Sequence, residues 1–387
     1  MTTTLPTTHP RISSIDILRG IIMIIMALDH VREFYSRSAI RPEDLTQASE
    51  MLFMTRWITH FCAPVFIFLS GMSMRLYEGN KTKREVSIFL LKRGAWLMFL
   101  EITVINFLWN FGYDFILLEV IWVIGWSMIC LAGLIWLPRM ALLVVVVAII
   151  AFHNLVPDVT PVTTGNMFWA SLHNSPFVVK FESIPIMIVA YSLVPWVALM
   201  AAGYWMGEWY HYEEGRRNKL LRLTGVALIV IFIVMRLINQ YGDPFPWAQQ
   251  PRGFMFSVLS FINVTKKPPS LFFILLMMGP ALFLLSVADH IKGFARKFAM
   301  AFGQVPLFFF VVHIFFISVT SWVWVHFTLS EQVNIAFASA KQFPADYTPS
   351  LIRTYVVWVL VLIVLYFPCK WYADYKRKNK SWWLSYL

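Results

Sequence analysis

Charged side chains are scarce in this chain of 387 residues. Only 14% of the residues are Asp, Glu, Lys or Arg, whereas 59% are hydrophobic and the mean hydropathy is +0.65. A soluble domain carries about 25% charged residues, so this composition excludes an ordinary soluble protein. Several runs of about 20 residues are apolar on all sides, as is typical of helices that cross a bilayer.

Cysteine and the common catalytic motifs are also scarce. The three cysteines, Cys62, Cys130 and Cys369, lie in or beside apolar runs without the spacing of metal ligands, so neither a disulfide nor a metal site is expected. The chain has no Walker loop, no dinucleotide-binding GxGxxG, no zinc-binding HExxH and no nucleophile-elbow GxSxG. The nine histidines do not show the pattern of two bis-His pairs across a helix pair, so a haem protein is not expected.

The apolar runs predict an all-α fold, a polytopic integral membrane helical bundle. One domain, residues 1–387, is expected to contain about 10 transmembrane helices. The first run follows no basic segment and precedes no small-residue cleavage site, so we interpret it as a retained helix. An amphipathic stretch at 252–264 is expected on the membrane surface. The predicted spans are 15–35, 57–77, 88–110, 115–136, 139–153, 186–209, 221–239, 270–289, 304–327 and 351–371.

The net charge of +11 indicates topology rather than a nucleic-acid partner, because the cations lie in loops beside the apolar spans. With the N-terminus inside, the inside segments hold about twice as many Lys and Arg residues as the outside segments. Both termini are therefore predicted to be cytoplasmic. The long connections 36–56, 154–185, 240–269 and 328–350 then lie outside, where they would form a lid or vestibule over the bundle.

Span one holds the most informative pair of side chains, Arg19 and His30. Eleven residues are close to three helical turns, so both side chains lie near one face, roughly 16 Å apart along the axis. Asp16 is spaced to pair with Arg19, and Asp29 points about 100° away from His30, toward another helix or Arg32. Buried ionisable groups usually face a pocket or pathway. Alternatively, the side chains of Arg19 and His30 could extend to the inner and outer lipid headgroups.

Three further spans carry polar groups in apolar surroundings. His60 precedes Pro64, which cannot donate to the His60 carbonyl and therefore predicts a kink. Glu101 and Asn106 lie within span three, and His313 lies within span nine. Each group has a structural alternative, as an interfacial side chain or an interhelical hydrogen bond. Four spans that each contain a buried ionisable group favour one shared polar cavity.

Four segments carry a resemblance to a known family. They are RISSIDILRGIIMIIMALDHVREF (11–34), THFCAPVFIFLSG (59–71), VPWVALMAAGYWMG (194–207) and GQVPLFFFVVHI (303–314). Together they resemble the catalytic domain family of heparan-α-glucosaminide N-acetyltransferase, in its bacterial form, within the transmembrane acyltransferases. The resemblance extends over nearly the whole chain.

The resemblance implies that an acetyl group passes from cytoplasmic acetyl-CoA to a sugar or other small acceptor on the outer side. It implies a protein of the bacterial inner membrane that uses acetyl-CoA and a glycan or small-molecule acceptor, with a homodimer as an option. No metal and no nucleic acid are expected. Two alternatives use the same residues: a transporter or flippase with a solute pathway through the cavity, and a scaffold in which the buried groups serve packing alone.

The resemblance also suggests roles for residues. Those assigned to catalysis are His30, His60, Asp29 and Glu101; those assigned to the cofactor are Arg19, Lys83 and Arg84; those assigned to a substrate or structural cavity are His313, Asn106 and Asp16. In the lysosomal branch an Asn takes the place of His30, and a His in the loop before span two is regarded as catalytic. Residues 31–56 contain no His here, so either His30 or His60 would act as the general base or acyl acceptor.

Overall fold

The computed structural model describes residues 12–156, 158, 160–180, 185–379, 381 and 384. Within these residues the fold consists of α-helices and one small sheet. The helices are α1 Ser13–Ser36, α2 Glu50–Thr59, α3 Cys62–Glu78, α4 Lys83–Leu100, α5 Asn106–Asn110, α6 Val120–Leu134, α7 Arg139–Phe152, α8 Met167–His173, α9 Val194–Gly207, α10 Glu214–Ile238, α11 Phe254–Ile262, α12 Leu271–Val287, α13 Gly293–Gly303, α14 Pro306–Thr328 and α15 Leu351–Lys378. The strands are β1 Phe115–Leu118, β2 Phe177–Val179 and β3 Ile186–Val189. A π-helical turn, Glu101–Ile105, joins α4 to α5, and 3₁₀ turns cover His153–Leu155, Glu208–His211, Ala288–His290 and Ala340–Gln342.

The helices fit a membrane protein. Among the residues that the structure describes, five helical segments are long and apolar enough to cross a bilayer, judged by length and composition: Glu50–Glu78, Glu214–Ile238, Leu271–His290, Pro306–Thr328 and Leu351–Lys378. Helix α1 is not among them because it carries five charged side chains. Each of the ten predicted spans overlaps a helix. The number of spans and the orientation of the termini stay predictions.

Two of the predicted spans are wrong at their beginnings. The sequence predicts helix at residues 115–118 and 186–189, but these residues form β1 and β3. The two strands pair in parallel, and β2 pairs with β3 antiparallel. Periodicity does not distinguish a four-residue apolar strand from the first turn of a buried helix. The alternation of a strand has a consequence here: Leu117 and Ile188 line a polar cavity, whereas Leu118 and Val189 pack into a separate apolar cluster.

Helix α1 lies at the centre of the bundle, where it contacts α3, α12, α13, α14 and α15. Its apolar side chains join one hydrophobic core with those of these neighbours. The helix is interrupted just before Pro64, where the sequence predicts a kink, since α2 ends at Thr59 and α3 begins at Cys62. The fold therefore places the polar face of α1 against helices that come from both halves of the chain.

Candidate active site

Two adjoining cavities follow the polar face of α1. The larger, which we call the His30 cavity, has a volume of about 300 Å³. The smaller, the Arg19 cavity, has a volume of about 100 Å³. Arg19 and Arg93 line it together with mostly apolar side chains. The long connections meet at the His30 cavity, because Arg37, Lys266 and Phe337 come from three of the four segments expected to cover the bundle.

His30 and His313 form a direct hydrogen-bonded pair. The Nδ1 atom of His30 lies 2.6 Å from Nε2 of His313, and Nδ1 of His313 lies 2.8 Å from the backbone oxygen of Phe309. A carbonyl only accepts, so Nδ1 of His313 carries the proton and, in the neutral ring, Nε2 accepts. His30 then donates through Nδ1, which leaves the lone pair on its Nε2 free. The chain of bonds therefore fixes His30 in the tautomer of a base.

Aromatic rings hold His30 in place. The ring of His313 meets it edge to edge through their hydrogen bond, with centroids 4.9 Å apart and planes 17° apart, while the rings of Trp109 and Phe310 stand nearly perpendicular to it at 5.2 and 6.1 Å. His313 is fully buried, and His30 is half-buried at the cavity. A base whose ring is packed on three sides keeps its orientation when an acceptor enters.

Glu101 and Asn106 bind backbone groups of residues that line the His30 cavity but do not line it themselves. The amide of Asn106 donates to the backbone oxygen of Leu117 at 3.0 Å and accepts from its N–H at 2.6 Å, as a neighbouring strand would. Glu101 Oε1 accepts from the backbone N–H of Glu119 at 2.9 Å. Neither side chain lines the His30 cavity, whereas Glu119 does. The two residues thus fix β1 and the start of α6, and a catalytic role for Glu101 stays a prediction.

Asp29 lies in an ion-pair network at the cavity wall. Its two oxygens bind Arg56 at 2.5 Å and Arg32 at 3.0 Å. The sequence left open whether Asp29 pairs with Arg32 or with another helix, and the structure shows both. Arg32 also binds Glu33 at 2.6 Å, so the buried charges are mutually compensated.

His60 lies behind this network. Its Nε2 atom is 3.9 Å from Glu43 Oε1, and its ring packs edge-on against Phe273 with centroids 5.7 Å apart. It does not line the His30 cavity, although its neighbour Thr59 does. Of the two candidate bases, His30 is the one that the structure brings to the cavity.

Several charged residues at the cavity were not singled out by the sequence analysis. Lys267 approaches Glu119 at 3.4 Å, and burial together with the nearby Arg56 lowers the pKa of Lys266 to about 8. In the sequence, Lys266 and Arg56 are only two of the cations that lie in the connections between predicted spans. Nothing in the sequence indicates that they lie near α1. Each does belong to a connection that is expected to cover the bundle.

The opposite end of α1 is built around Arg19. The predicted pair with Asp16 is confirmed, with Arg19 Nη1 3.0 Å from Asp16 Oδ1. The other guanidinium nitrogen donates to Ser73 Oγ at 2.9 Å. Asp16 is buried and does not line either cavity of α1.

Neither Lys83 nor Arg84 lines the Arg19 cavity. Both are exposed in the first turn of α4, and Lys83 lines a different cavity of about 170 Å³ with Arg75 and Arg139. Across the part of the chain that the structure describes, no three His, Cys, Asp or Glu side chains are grouped as a metal site would require.

Comparison with known proteins gives a family. The family model described as heparan-alpha-glucosaminide N-acetyltransferase, catalytic, matches residues 11–238, from the start of α1 to the end of α10. This stretch is more than half of the chain but shorter than the resemblance seen in the sequence; it includes Arg19, His30 and His60, whereas His313 lies beyond it. No curated protein matches the chain. The chain belongs to the heparan-α-glucosaminide N-acetyltransferase catalytic family, which is a family of membrane acetyltransferases.

Proposed function

We propose that this protein moves an acetyl group from acetyl-CoA to a hydroxyl or amine of a sugar or other small acceptor in the His30 cavity. The observation that carries the proposal is the free lone pair of His30 Nε2 at a polar cavity, fixed by the chain from His30 to His313 to the Phe309 carbonyl. Acetyl-CoA is the co-substrate of the family in general. Both termini are cytoplasmic in the proposal, so the donor enters at the Arg19 end and the acceptor from outside, across a bacterial inner membrane.

The reaction needs one base and one acid, and His30 serves as both in turn. Nε2 takes the proton of the acceptor as its oxygen or nitrogen attacks the thioester carbon. A new C–O or C–N bond forms, the C–S bond breaks, and the departing thiolate takes the proton from His30. The products are the acetylated acceptor and the thiol of coenzyme A. The His313 acceptor keeps the charged imidazole of His30 oriented between the two transfers.

The distance between Arg19 and His30 suits the donor. The two residues are separated by roughly 16 Å along α1, and the extended pantetheine arm of coenzyme A has a similar length. A guanidinium at the start of that path binds phosphates or amide oxygens well. In this proposal Arg19 contacts the nucleotide end of the arm, and the thioester lies beside His30.

Calorimetry with acetyl-CoA tests the donor site. Removing Arg19 alone would take away the positive charge that pairs with buried Asp16, so we choose Arg19→Gln combined with Asp16→Asn. We expect this double variant to bind acetyl-CoA about 10- to 100-fold more weakly, as loss of a charge-assisted hydrogen bond predicts. The matched control is Lys83→Ala with Arg84→Ala, two exposed cations, which we expect to change the affinity less than about threefold.

If the Lys83→Ala, Arg84→Ala variant lost more affinity for acetyl-CoA than the Arg19→Gln, Asp16→Asn variant, the nucleotide would lie on the exposed start of α4. That result would contradict the role of Arg19. Absence of acetyl-CoA binding by folded wild-type protein would contradict the whole proposal. It would favour the alternative in which the cavities form a solute pathway.

The role of His313 gives a second prediction. His313→Ala leaves His30 without the acceptor that fixes its tautomer, so we expect kcat for acetyl transfer to fall about 10- to 100-fold while acetyl-CoA binding is unchanged. Nitrogen NMR of labelled histidine reports the tautomer directly, and in the wild type we expect the proton of His30 on Nδ1. The control is His326→Ala, which removes an exposed histidine of the same helix. Equal activity of the two variants would show that the pair does not serve catalysis.

A further inference from the structure

A thin wall separates the two cavities of α1. Met26, Phe66 and Val120 line both the His30 cavity and the Arg19 cavity, so each of these side chains has one surface on either side. Phe310 also lines the Arg19 cavity, and its ring is 6.1 Å from that of His30. The wall is therefore a single layer of side chains.

The position of Met26 follows from the helix. It comes seven residues after Arg19 and four before His30, so the three side chains share one face of α1. Methionine has a flexible, unbranched side chain that changes its rotamer at low cost. The wall thus contains a movable member at the point where a narrow ligand would pass.

The proposed reaction requires something to pass there. The reacting carbonyl must approach the acceptor atom within about 3.5 Å, beside His30 Nε2. The nucleotide is expected at the Arg19 end, so the thin pantetheine arm has to cross between the two cavities. The acyl group beyond the sulfur then occupies the space between this wall and His30.

We infer that Met26, Phe66 and Val120 form a gate that admits the pantetheine arm and restricts the donor to a short acyl group. The inference rests on the proposed function and adds to it the residues that determine donor specificity. Each methylene added to the acyl group must fit against Met26, Phe66 or Val120. A tight apolar site discriminates about 10- to 200-fold per methylene.

The test compares the affinities of butyryl-CoA and acetyl-CoA by calorimetry, in wild-type protein and in Met26→Ala. We expect the variant to raise the affinity ratio of butyryl-CoA to acetyl-CoA by at least about 10-fold. Val120→Ala is a second variant with a smaller change in volume at a half-buried position, and we expect it to shift the ratio in the same direction. Rates of thiol release with glucosamine as the acceptor probe are measured in parallel.

Met23→Ala is the matched control. Met23 is a buried methionine of the same helix and lines only the Arg19 cavity. We expect Met23→Ala to leave the affinity ratio of butyryl-CoA to acetyl-CoA within about twofold of wild type, because the acyl group does not lie against Met23. An equal rise in Met23→Ala and Met26→Ala would overturn the gate, since it would place the acyl group on the Arg19 side.

An unchanged affinity ratio of butyryl-CoA to acetyl-CoA in both Met26→Ala and Val120→Ala would also overturn the gate. The binding ratio is obtained whether or not acetyl transfer occurs. Failure of the wild type to release thiol, with a ratio that still responds to Met26, would count against the proposed function and leave the gate supported.

Discussion

His30→Gln is expected to abolish most acetyl transfer. The glutamine keeps a polar side chain of similar length but offers no lone pair with the basicity of an imidazole, so we expect kcat to fall on the order of 10³- to 10⁴-fold. Acetyl-CoA binding should stay within about twofold of wild type, because the donor is expected to be held at the Arg19 end. Radiolabelled acetyl transfer to glucosamine, with calorimetry on the same preparation, measures both quantities.

The matched control is His60→Gln. His60 is the other histidine that the sequence allows as the base, but it packs against Phe273 and does not line the His30 cavity. We expect its replacement to lower kcat less than about 10-fold, through the nearby ion pairs alone. A large loss in His60→Gln together with an active His30→Gln would reverse the assignment of the base and contradict the lone-pair argument.

Local spacing predicted the parts of the site that lie within one element. The Asp16–Arg19 pair follows from an i,i+3 separation, and the break before Pro64 follows from a missing N–H donor. The placement of Arg19 and His30 on one face likewise needed only the helical period. These features depend on neighbours within about three turns, where sequence distance and spatial distance agree.

Contacts between side chains of helices that are distant in sequence could not be predicted from local spacing. His30 and His313 are 283 positions apart, and nothing in either helix indicates that one ring accepts from the other. Arg236 is a similar case, since it lies within the predicted span 221–239 and the sequence indicates no partner for it. In the structure its guanidinium donates to the backbone oxygens of Ser260 and Asn263, at 3.2 and 2.9 Å, and so binds the end of α11. Such partners depend on how helices pack, which the spacing of residues within a helix does not specify.

Packing of α3 against α9 connects the fold to the site, because α3 carries Phe66 and Ser73. The two helices cross at a pair of glycines that face each other's backbones. A Cβ atom at Gly71 would lie 1.9 Å from the oxygen of Met200, and one at Gly203 would lie 1.9 Å from the oxygen of Phe68. Small residues at such a crossing allow helices in membranes to approach closely.

Gly203→Ala is therefore expected to be strongly destabilising. The obstacle is backbone, which no side-chain rotation relieves, so α3 and α9 must separate. We expect the free energy of unfolding to fall by about 3 kcal/mol or more, and Phe66 to shift away from the His30 cavity. Thermal unfolding of purified protein in detergent, followed by size-exclusion chromatography, measures the loss.

The control is Gly133→Ala, in helix α6, where an added Cβ meets nothing within 4 Å. Its better helix propensity should leave the melting temperature unchanged or raise it, since alanine is favoured over glycine by about 1 kcal/mol in a helix. Equal melting temperatures for the two variants would contradict the close crossing of α3 and α9. A large difference, accompanied by a loss of acetyl-CoA binding in Gly203→Ala alone, would show that this crossing positions the wall between the two cavities.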